Sequence, residues 1–342
     1  MISIQSEQKQ TQQPIKAVGL LSGGLDSTVA CKVIKDLGVD VYGVYFAMPW
    51  GCCDKDAAQA AADKVGIKFI VLQLDERYLE MVKKPKHGYG SALNPCVDCR
   101  IHMFSRAAKY MKAIGADFVF TGEVLGQRPM SQMRKSMRWI EEESGLKSRL
   151  LRPLCARHLP PTIPEKEGKI DRDRLLKISG RSRKSQMKLA ERFEITDYPN
   201  PAGGCLLTDR HFARRMTDTL KHGYRNFRET VALQWGRHFR VEQNFKIILG
   251  RSKDENDALK SYAHQDDVIM EIVDKKGPTL ILKGPRPDEK ILSIGAGLIQ
   301  YYSPRRGEEP VTVEYWPARD KENVQRIEAH IISDEYVETI KI

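Results

Sequence analysis

The chain contains no apolar run near the length of a membrane-spanning helix, and its first 15 residues are polar and rich in glutamine. A spanning helix needs about 18 consecutive apolar residues, and a secretory signal needs a shorter apolar core near the amino terminus. These absences exclude the usual membrane and secretory classes. We therefore expect a cytoplasmic protein in which residues 1–15 form a disordered tail.

Cysteine is scarce, with seven residues among 342, and the number is odd. Cytoplasmic thiols stay reduced, so this small set favours metal binding or catalysis over disulfides.

Acidic residues are scarce in one segment. Between Arg128 and Arg192 there are 18 Lys and Arg but only 8 Asp and Glu, a net charge of +10 out of +11 for the whole chain. Such concentrated charge attracts a polyanion, which predicts a nucleic acid partner over an ordinary solvated surface.

No lysine lies between Lys16 and Lys32, which excludes the common nucleotide-binding loop GxxxxGK[ST]. That stretch instead reads as a strand, a glycine turn and a helix, with the string Ser-Gly-Gly-Leu-Asp-Ser at residues 22–27. Backbone amides at a helix start favour phosphate, and glycines allow it to approach closely. The residues that we expect to bind a nucleotide here are Ser22, Gly23, Gly24, Asp26 and Ser27.

Asp26 would repel a phosphate unless it holds a cation, so the loop also predicts Mg²⁺. Around the loop, short apolar runs alternate with helical stretches, which predicts a parallel sheet with helices on both faces. The predicted strands are 17–21, 41–46, 68–74 and 117–121, and the predicted helices are 26–37, 54–65, 75–83 and 98–114. Ligands of such sheets bind beyond the carboxyl ends of the strands.

The composition changes twice along the rest of the chain. Residues 129–240 read as a helical, basic extension, and the pattern becomes rich in strands from about residue 241. The predicted domains are therefore an α/β domain at 16–128, the extension at 129–240 and a smaller α+β domain at 241–342.

Three cysteines form the second candidate site. Cys96 and Cys99 lie at a predicted helix start, and Cys205 lies in a Gly-Gly-Cys turn. Three interpretations remain. The three cysteines could hold a 4Fe–4S cluster with one iron left unligated, or Cys99 and Cys205 could act as a nucleophile and its partner through a persulfide or disulfide. The third is a structural zinc site, for which no matching fourth ligand is seen. The remaining cysteines are secondary: Cys52 and Cys53 follow the second strand, and Cys31 and Cys155 are expected to be buried packing residues.

The string at 22–27 resembles the pyrophosphate loop (PP-loop) of the ATP-pyrophosphatase superfamily, and residues 16–215 resemble tRNA thiouridine synthases of the 2-thiouridylase branch. That resemblance rests on the loop, on residues 94–100 (Asn-Pro-Cys-Val-Asp-Cys-Arg), on 121–123 (Thr-Gly-Glu) and on 204–212, which begin Gly-Cys and end His-Phe. It implies an adenine nucleotide alpha-hydrolase-like fold, nucleotide binding at Gly122, and catalytic roles for Asp26, Cys99 and Cys205.

Two departures from the family pattern matter. Glu123 replaces the usual histidine, and Cys96 replaces an aspartate, which makes a three-cysteine set similar to that of iron–sulfur-dependent tRNA thiolases. Residues 151–154 (Leu-Arg-Pro-Leu) resemble a motif of the 4-thiouridine synthase branch, and residues 241–283 resemble an NFACT-type RNA-binding domain.

The resemblance implies an ATP-dependent tRNA sulfurtransferase that uses ATP, Mg²⁺ and a 4Fe–4S cluster on Cys96, Cys99 and Cys205. Its product would be a thiouridine, with 4-thiouridine slightly preferred over 2-thiouridine. The implied partners are tRNA and a sulfur donor, either inorganic sulfide or a persulfide carrier, and a homodimer is compatible with the sequence. The alternatives are a cluster-free persulfide thiolase, another adenylating amidase or ligase, and an RNA-binding translation factor with an inactive loop.

Overall fold

The computed structural model describes residues 14–48, 50, 54–199, 204–224, 226–273, 276–307 and 311–342. The chain divides into two compact units. The amino-terminal unit comprises the described residues up to Gly90 and from Asn94 to Gly204, and the carboxy-terminal unit comprises Cys205–Ile342 together with Ser91–Leu93. Most of the predicted tail, as well as Cys52, Cys53 and Gly203, lies outside the described residues.

A parallel sheet of five strands forms the centre of the amino-terminal unit. The strands are β1 (Lys16–Leu20), β2 (Asp40–Ala47), β3 (Lys68–Gln73), β4 (Phe118–Thr121) and β5 (Leu150–Leu151). Their order is β3-β2-β1-β4-β5, and all neighbours are parallel. The chain runs outwards from β1 to β3 and then returns to the other side of β1. The pair β1–β4 is therefore the topological switch point, where proteins of this class bind ligands.

Helices cover both faces of this sheet. They are α1 (Leu25–Lys35), α2 (Lys55–Val65), α3 (Glu76–Lys83), α4 (Cys96–Ala113), α5 (Arg134–Glu143), α6 (Ile163–Lys166) and α7 (Lys184–Arg192). Side chains alternate along each strand, so Ala17 packs in one core with α1, α2 and α7, whereas Val18 packs in the other with α4 and α5. Both faces are apolar, as expected of a buried parallel sheet.

The carboxy-terminal unit is built on an antiparallel sheet of six strands. They are β6 (Arg237–Val241), β7 (Phe245–Leu249), β8 (Val268–Ile272), β9 (Leu280–Lys283), β10 (Val311–Pro317) and β11 (Gln325–Ala329). The order is β11-β10-β8-β9-β7-β6. The helices of this unit are α8 (Arg210–His222), α9 (Lys253–Tyr262), α10 (Glu289–Tyr301) and α11 (Asp334–Ile340). α10 supplies much of the buried apolar core against the sheet.

The predicted fold class is confirmed: one unit is a parallel α/β domain and the other is a smaller α+β domain. The four predicted strands of the first sheet correspond to β1–β4, and the four predicted helices correspond to α1–α4. The predicted domain limits rest on composition and motifs and stay predictions. The limit at residue 240 falls inside β6, which pairs with β7.

Candidate functional site

The PP-loop residues and Gly122 meet at the carboxyl ends of β1 and β4. Leu20 pairs with Thr121 in the sheet, so the loop after β1 and the loop after β4 leave the same edge side by side. The first helical hydrogen bond of α1 runs from Thr28 N to Gly24 O. The amides of residues 25–27 precede this bond, and amides in that position are the usual donors to an anion.

Two glycines fix how closely these loops approach their neighbours. A Cβ atom on Gly122 would lie 2.5 Å from the carbonyl carbon of Asp26, and Gly23 has a φ of +75° with backbone of Ala58 2.6 Å from its missing Cβ. Contacts under about 3 Å force the backbone to move, and positive φ disfavours other residues. Glycine is therefore needed at 122 to bring Asp26 beside β4, and at 23 to bring the loop against α2.

Hydroxyl groups hold the PP-loop in shape. The Oγ atoms of Ser22 and Ser27 lie 3.1 Å apart, and Ser27 Oγ donates to Gly24 O at 2.8 Å. Thr28 Oγ1 donates to the same carbonyl at 3.0 Å. The loop therefore has its bends fixed by its own side chains, which leaves the amides of the first helical turn to face a ligand.

Asp26 and Gln127 form the polar centre of this crevice. Gln127 Nε2 donates to Asp26 Oδ2 at 2.9 Å, across 101 residues of sequence. The other two oxygens, Asp26 Oδ1 and Gln127 Oε1, are buried and have no hydrogen-bond partner among the described residues. Buried acceptors without partners cost free energy. Carboxylate and amide oxygens are ligands that Mg²⁺ accepts, so this pair fits the predicted cation.

Cys96 and Cys99 lie in the first turn of α4, three residues apart and therefore on one face of the helix. Both side chains are partly exposed, and Tyr78 Oη donates to Cys99 Sγ at 3.2 Å. Asp98, between the two cysteines, accepts from the amides of Lys86 and His87 at 3.0 Å each, which anchors this turn. The two thiols are placed to act as two ligands of a cluster, or as a nucleophile and a neighbouring thiol.

Cys205 belongs to the carboxy-terminal unit, where it precedes a short 3-10 turn at Leu206–Thr208. Within the described part of each unit, no three His, Cys, Asp or Glu residues are grouped to hold a metal ion. Cys31 and Cys155 are buried as expected, and burial raises the pKa of Cys31 to about 12 and that of Cys155 to about 11. Neither thiol is therefore suited to nucleophilic chemistry at neutral pH.

Glu123, which replaces the family histidine, is an ionic link inside the amino-terminal unit. Its carboxylate accepts from Arg100 Nη1 at 2.9 Å and from Arg152 Nε at 3.0 Å, and its side chain is 1% exposed. Arg152 also bonds Glu141 at 3.1 Å and the carbonyl of Met137. Glu123 thereby joins the end of β4 to the first turn of α4, beside Cys99.

The Leu-Arg-Pro-Leu motif at 151–154 has a structural role. All four residues are buried, and the Arg152 guanidinium donates hydrogen bonds to Glu123, to Glu141 and to a backbone carbonyl. The motif is therefore part of the core and its supporting ion pairs, so it carries no direct information about the substrate base.

Part of the basic segment lies beside the crevice. Gly180 N donates to Leu125 O at 2.8 Å, and Leu125 also bridges Ser179, so residues 179–180 lie beside the loop that carries Gln127. Arg181 and Lys184 are exposed, and neither forms an ion pair within the described residues. This places positive charge next to the candidate nucleotide site.

The fold and this site define a class: a PP-loop α/β unit joined to an α+β unit. Comparison with known proteins agrees. Residues 15–142 match the family model "tRNA methyl transferase HUP domain", and residues 236–339 match the model "NFACT protein RNA binding domain". The resemblance to an NFACT-type domain is thereby confirmed, and curated relatives confirm the resemblance to tRNA thiouridine synthases over 148 residues.

Among curated relatives, the chain is 33% identical over 148 residues to the tRNA-specific 2-thiouridylase MnmA of Tropheryma whipplei, covering 38% of this chain and 41% of that protein. It is 37% identical over 113 residues to the enzyme of the same name from Sulfurimonas denitrificans, covering 31% and 33%. The chain thus matches about two fifths or less of the length of these relatives.

A solved 4-thiouridine synthetase–RNA complex with bound ATP aligns at 23% identity and a TM-score of 0.38, covering 56% of this chain and 44% of that one. At this TM-score the likeness carries no functional argument. No helix within the described ranges is long and apolar enough to cross a membrane.

Proposed function

We propose that the chain is an ATP-dependent tRNA sulfurtransferase that makes a thiouridine. The observation that carries the proposal is a pair of buried oxygens on Asp26 and Gln127 that have no hydrogen-bond partner among the described residues, at the switch point of a PP-loop sheet. In this reaction a uridine carbonyl oxygen attacks the α-phosphorus of ATP and pyrophosphate leaves. An incoming sulfide then attacks the base carbon, and AMP leaves with the original oxygen.

The nucleotide would be held by the PP-loop. The amides of residues 25–27 would face the phosphates, Gly23, Gly24 and Gly122 would allow their approach, and Ser22 and Ser27 would keep the loop in shape. Asp26 and Gln127 would hold Mg²⁺ through oxygen atoms. Preorganised donors and a cation favour the charge that develops on the phosphates as pyrophosphate leaves.

The sulfur chemistry would belong to Cys99 and Cys205, with Cys96 as a third ligand if a 4Fe–4S cluster is bound. A bound cluster with three cysteine ligands would supply an open iron for sulfide. The fit of the donor set rests on Cys96 and Cys99, which share one helical face. Tyr78 Oη, as a donor to Cys99 Sγ, would stabilise a thiolate in either case.

The position of the sulfur is proposed as carbon 2. The curated relatives are 2-thiouridylases by name, and the motif that favoured 4-thiouridine is buried core around Arg152. The preference for 4-thiouridine is thus not confirmed and stays the second candidate. Mass spectrometry of nucleosides from tRNA treated with enzyme, ATP and sulfide separates the two isomers by retention and fragmentation.

The test of the whole proposal is pyrophosphate release coupled to thiouridine formation. Asp26→Asn should abolish both, because the amide no longer balances the charge of Mg²⁺. Asp36→Asn is the matched control, since Asp36 ends the same helix and only pairs with Lys32 at the surface. Full activity of Asp26→Asn would refute the nucleotide site. If the chain is an RNA-binding protein with an inactive loop, neither the wild type nor the Asp26→Asn variant will release pyrophosphate.

The cluster is tested by iron content. Protein purified without oxygen should bind about four irons per chain if a 4Fe–4S cluster is present. Cys96→Ala should lose most of this iron, whereas Cys155→Ala, which removes a buried thiol, should retain it. If no iron binds and Cys99 and Cys205 trap as a disulfide during turnover, the persulfide alternative replaces the cluster.

A further inference from the structure

The carboxy-terminal unit contains a basic pocket that the proposed chemistry does not use. It lies between the start of α9, residues 276–279 before β9 and the end of α10, and has a volume of about 690 Å³. Pockets of about 300 to 1,000 Å³ are typical of sites that enclose a small ligand or part of a larger one. This pocket is therefore large enough for one or two nucleotides.

The charge of the pocket favours an anion. Among the described residues, five basic and two acidic side chains line it. Arg251 is neutralised by Glu255 and Lys260 by Glu271, the latter at 2.8 Å. The remaining basic residues are Arg237, Lys253 and Lys276, and none of the three has an acidic partner within the described ranges.

Within the described part of the pocket lining, these three cations are opposed by one acid without an ion pair, Asp257. The side chains of Lys253 and Lys276 are exposed, so both ammonium groups are available to a phosphate from solvent. Exposed cations that are not paired within the fold are the groups that bind a phosphate backbone and release its counterions.

One part of the pocket lining is a cation–aromatic pair. The Arg237 guanidinium carbon lies 4.4 Å from the centre of the Tyr302 ring, and both residues line the pocket. Unpaired bases of RNA stack on guanidinium planes and on aromatic rings.

Another part of the lining is rigid. Asn256 accepts from Thr279 N at 3.1 Å and donates to Gly277 O at 3.2 Å, which ties α9 to residues 277–279 before β9. A Cβ on Gly250 would lie 2.0 Å from Asn256 Oδ1, so this side chain requires glycine at 250. The pocket is therefore shaped before any ligand arrives, which reduces the entropy lost on binding.

We propose that this pocket binds unpaired nucleotides of RNA, with a base stacked on the Arg237–Tyr302 pair and the adjoining phosphates held by Lys253 and Lys276. The match of residues 236–339 to an RNA-binding family gives RNA as the polyanion. This assignment rests on the proposed function, because it specifies how the tRNA substrate is captured. It predicts selectivity for single strands, because a base in a duplex is already stacked within the helix.

The test measures binding of the full chain to a short fluorescent single-stranded RNA, and to the same strand in a duplex, by anisotropy over a range of salt. Lys253→Glu with Lys276→Glu should weaken single-strand binding at least about tenfold. It should also reduce the salt slope by about 1.4, because each phosphate that is no longer neutralised removes about 0.7. Arg237→Lys keeps the charge but removes the planar group, and should weaken only single-strand binding, by about five- to tenfold.

The matched control is Arg319→Glu with Lys321→Glu, which makes the same charge change at two exposed residues outside the pocket. It should change affinity by about twofold or less. The inference is overturned if the pocket variants behave like this control, or if Arg237→Lys weakens duplex binding as much as single-strand binding. Thermal melting of every variant checks that the fold is intact.

Thiouridine formation at saturating tRNA separates the two proposals. If the wild-type chain makes thiouridine while the pocket variants bind RNA normally, the pocket inference fails and the sulfurtransferase proposal stands. If the pocket variants lose RNA binding while the wild-type chain makes no thiouridine, the sulfurtransferase proposal fails and the pocket assignment stands.

Discussion

The candidate sites of the two units leave opposite kinds of polar group unsatisfied. In the amino-terminal unit these are buried acceptors, Asp26 Oδ1 and Gln127 Oε1, and in the carboxy-terminal pocket they are the cations of Arg237, Lys253 and Lys276. A buried acceptor without a partner costs free energy until a cation fills the site, so the residues around it must hold a fixed geometry. Exposed cations cost almost nothing and attract any nearby phosphate. On the proposed function, the buried acceptors of the first unit serve the adenylation step, whereas the cations of the second serve RNA capture.

Gly122→Ala should break the chemical site with the largest effect. The added Cβ would lie 2.5 Å from the backbone of Asp26 and push α1 away from β4. A displacement of about 1 Å at a reacting centre can cost about 100-fold in rate, so pyrophosphate release should fall by at least about that factor. RNA binding should stay within about twofold if the carboxy-terminal unit is the main capture surface.

Gly168→Ala is the control for this substitution. Nothing lies within 4 Å of the added Cβ there, although the φ of +70° carries a small backbone cost. Its pyrophosphate release should equal that of the wild type. Equal rates in Gly122→Ala would show that the β1–β4 crevice is not the site of adenylation.

Glu123→Ala should lower the free energy of unfolding of the amino-terminal unit by about 3 kcal/mol, because it removes one of the two carboxylates that pair with buried Arg152. Glu143→Ala removes surface contacts to Lys86 and His87 and should cost no more than about 1 kcal/mol. Urea unfolding followed by near-ultraviolet circular dichroism measures both. A cost below that of Glu143→Ala would show that the buried link does not support the turn carrying Cys96 and Cys99.

Charge reversal in the basic segment would sharpen the division between the units. If residues 181–184 guide tRNA towards the crevice, reversal of Arg181, Arg183 and Lys184 should weaken tRNA binding about tenfold. It should also flatten the salt slope, by about 0.9 for each duplex phosphate that is no longer neutralised. The control reverses three exposed lysines elsewhere in the unit: Lys64, Lys109 and Lys112. An unchanged slope in the first variant would leave capture to the carboxy-terminal unit alone.

Acid should weaken the carboxy-terminal unit through His238. Burial lowers the pKa of this side chain well below its usual value of 6.5. The unfolded chain then binds more protons than the folded one in the window below 6.5, so stability rises with pH through that window and falls as pH drops. In the wild type, Tm should fall on acidification through this window by about 2 to 4 °C more than in His238→Met. That is the shift in Tm that about 1 kcal/mol produces in a unit of this size. An unaltered slope would exclude His238 as the cause.

The local elements followed from the sequence because their signals are local. Alternating apolar runs predicted β1–β4 and α1–α4 within a few residues, and the glycine turn at 22–27 marked the start of α1. In the carboxy-terminal unit, β6 and β11 have weak strand signals. β11 is largely exposed and β6 is mostly charged or polar in sequence, so neither shows the apolar pattern on which a prediction depends.

The sequence by itself determined which residue types are available: a phosphate-directed turn, one carboxylate within it, a pair of cysteines one helical turn apart, and a basic segment. Only the tertiary structure decided their partners. Gln127 reaches Asp26 because β4 pairs with β1, and Glu123 meets Arg152 because β4 also pairs with β5. Arg237 meets Tyr302 across 65 residues, and the Leu-Arg-Pro-Leu motif proved to be core. Periodicity and turn chemistry act over a few residues, whereas long-range pairs are fixed by sheet order and packing, which no local pattern encodes.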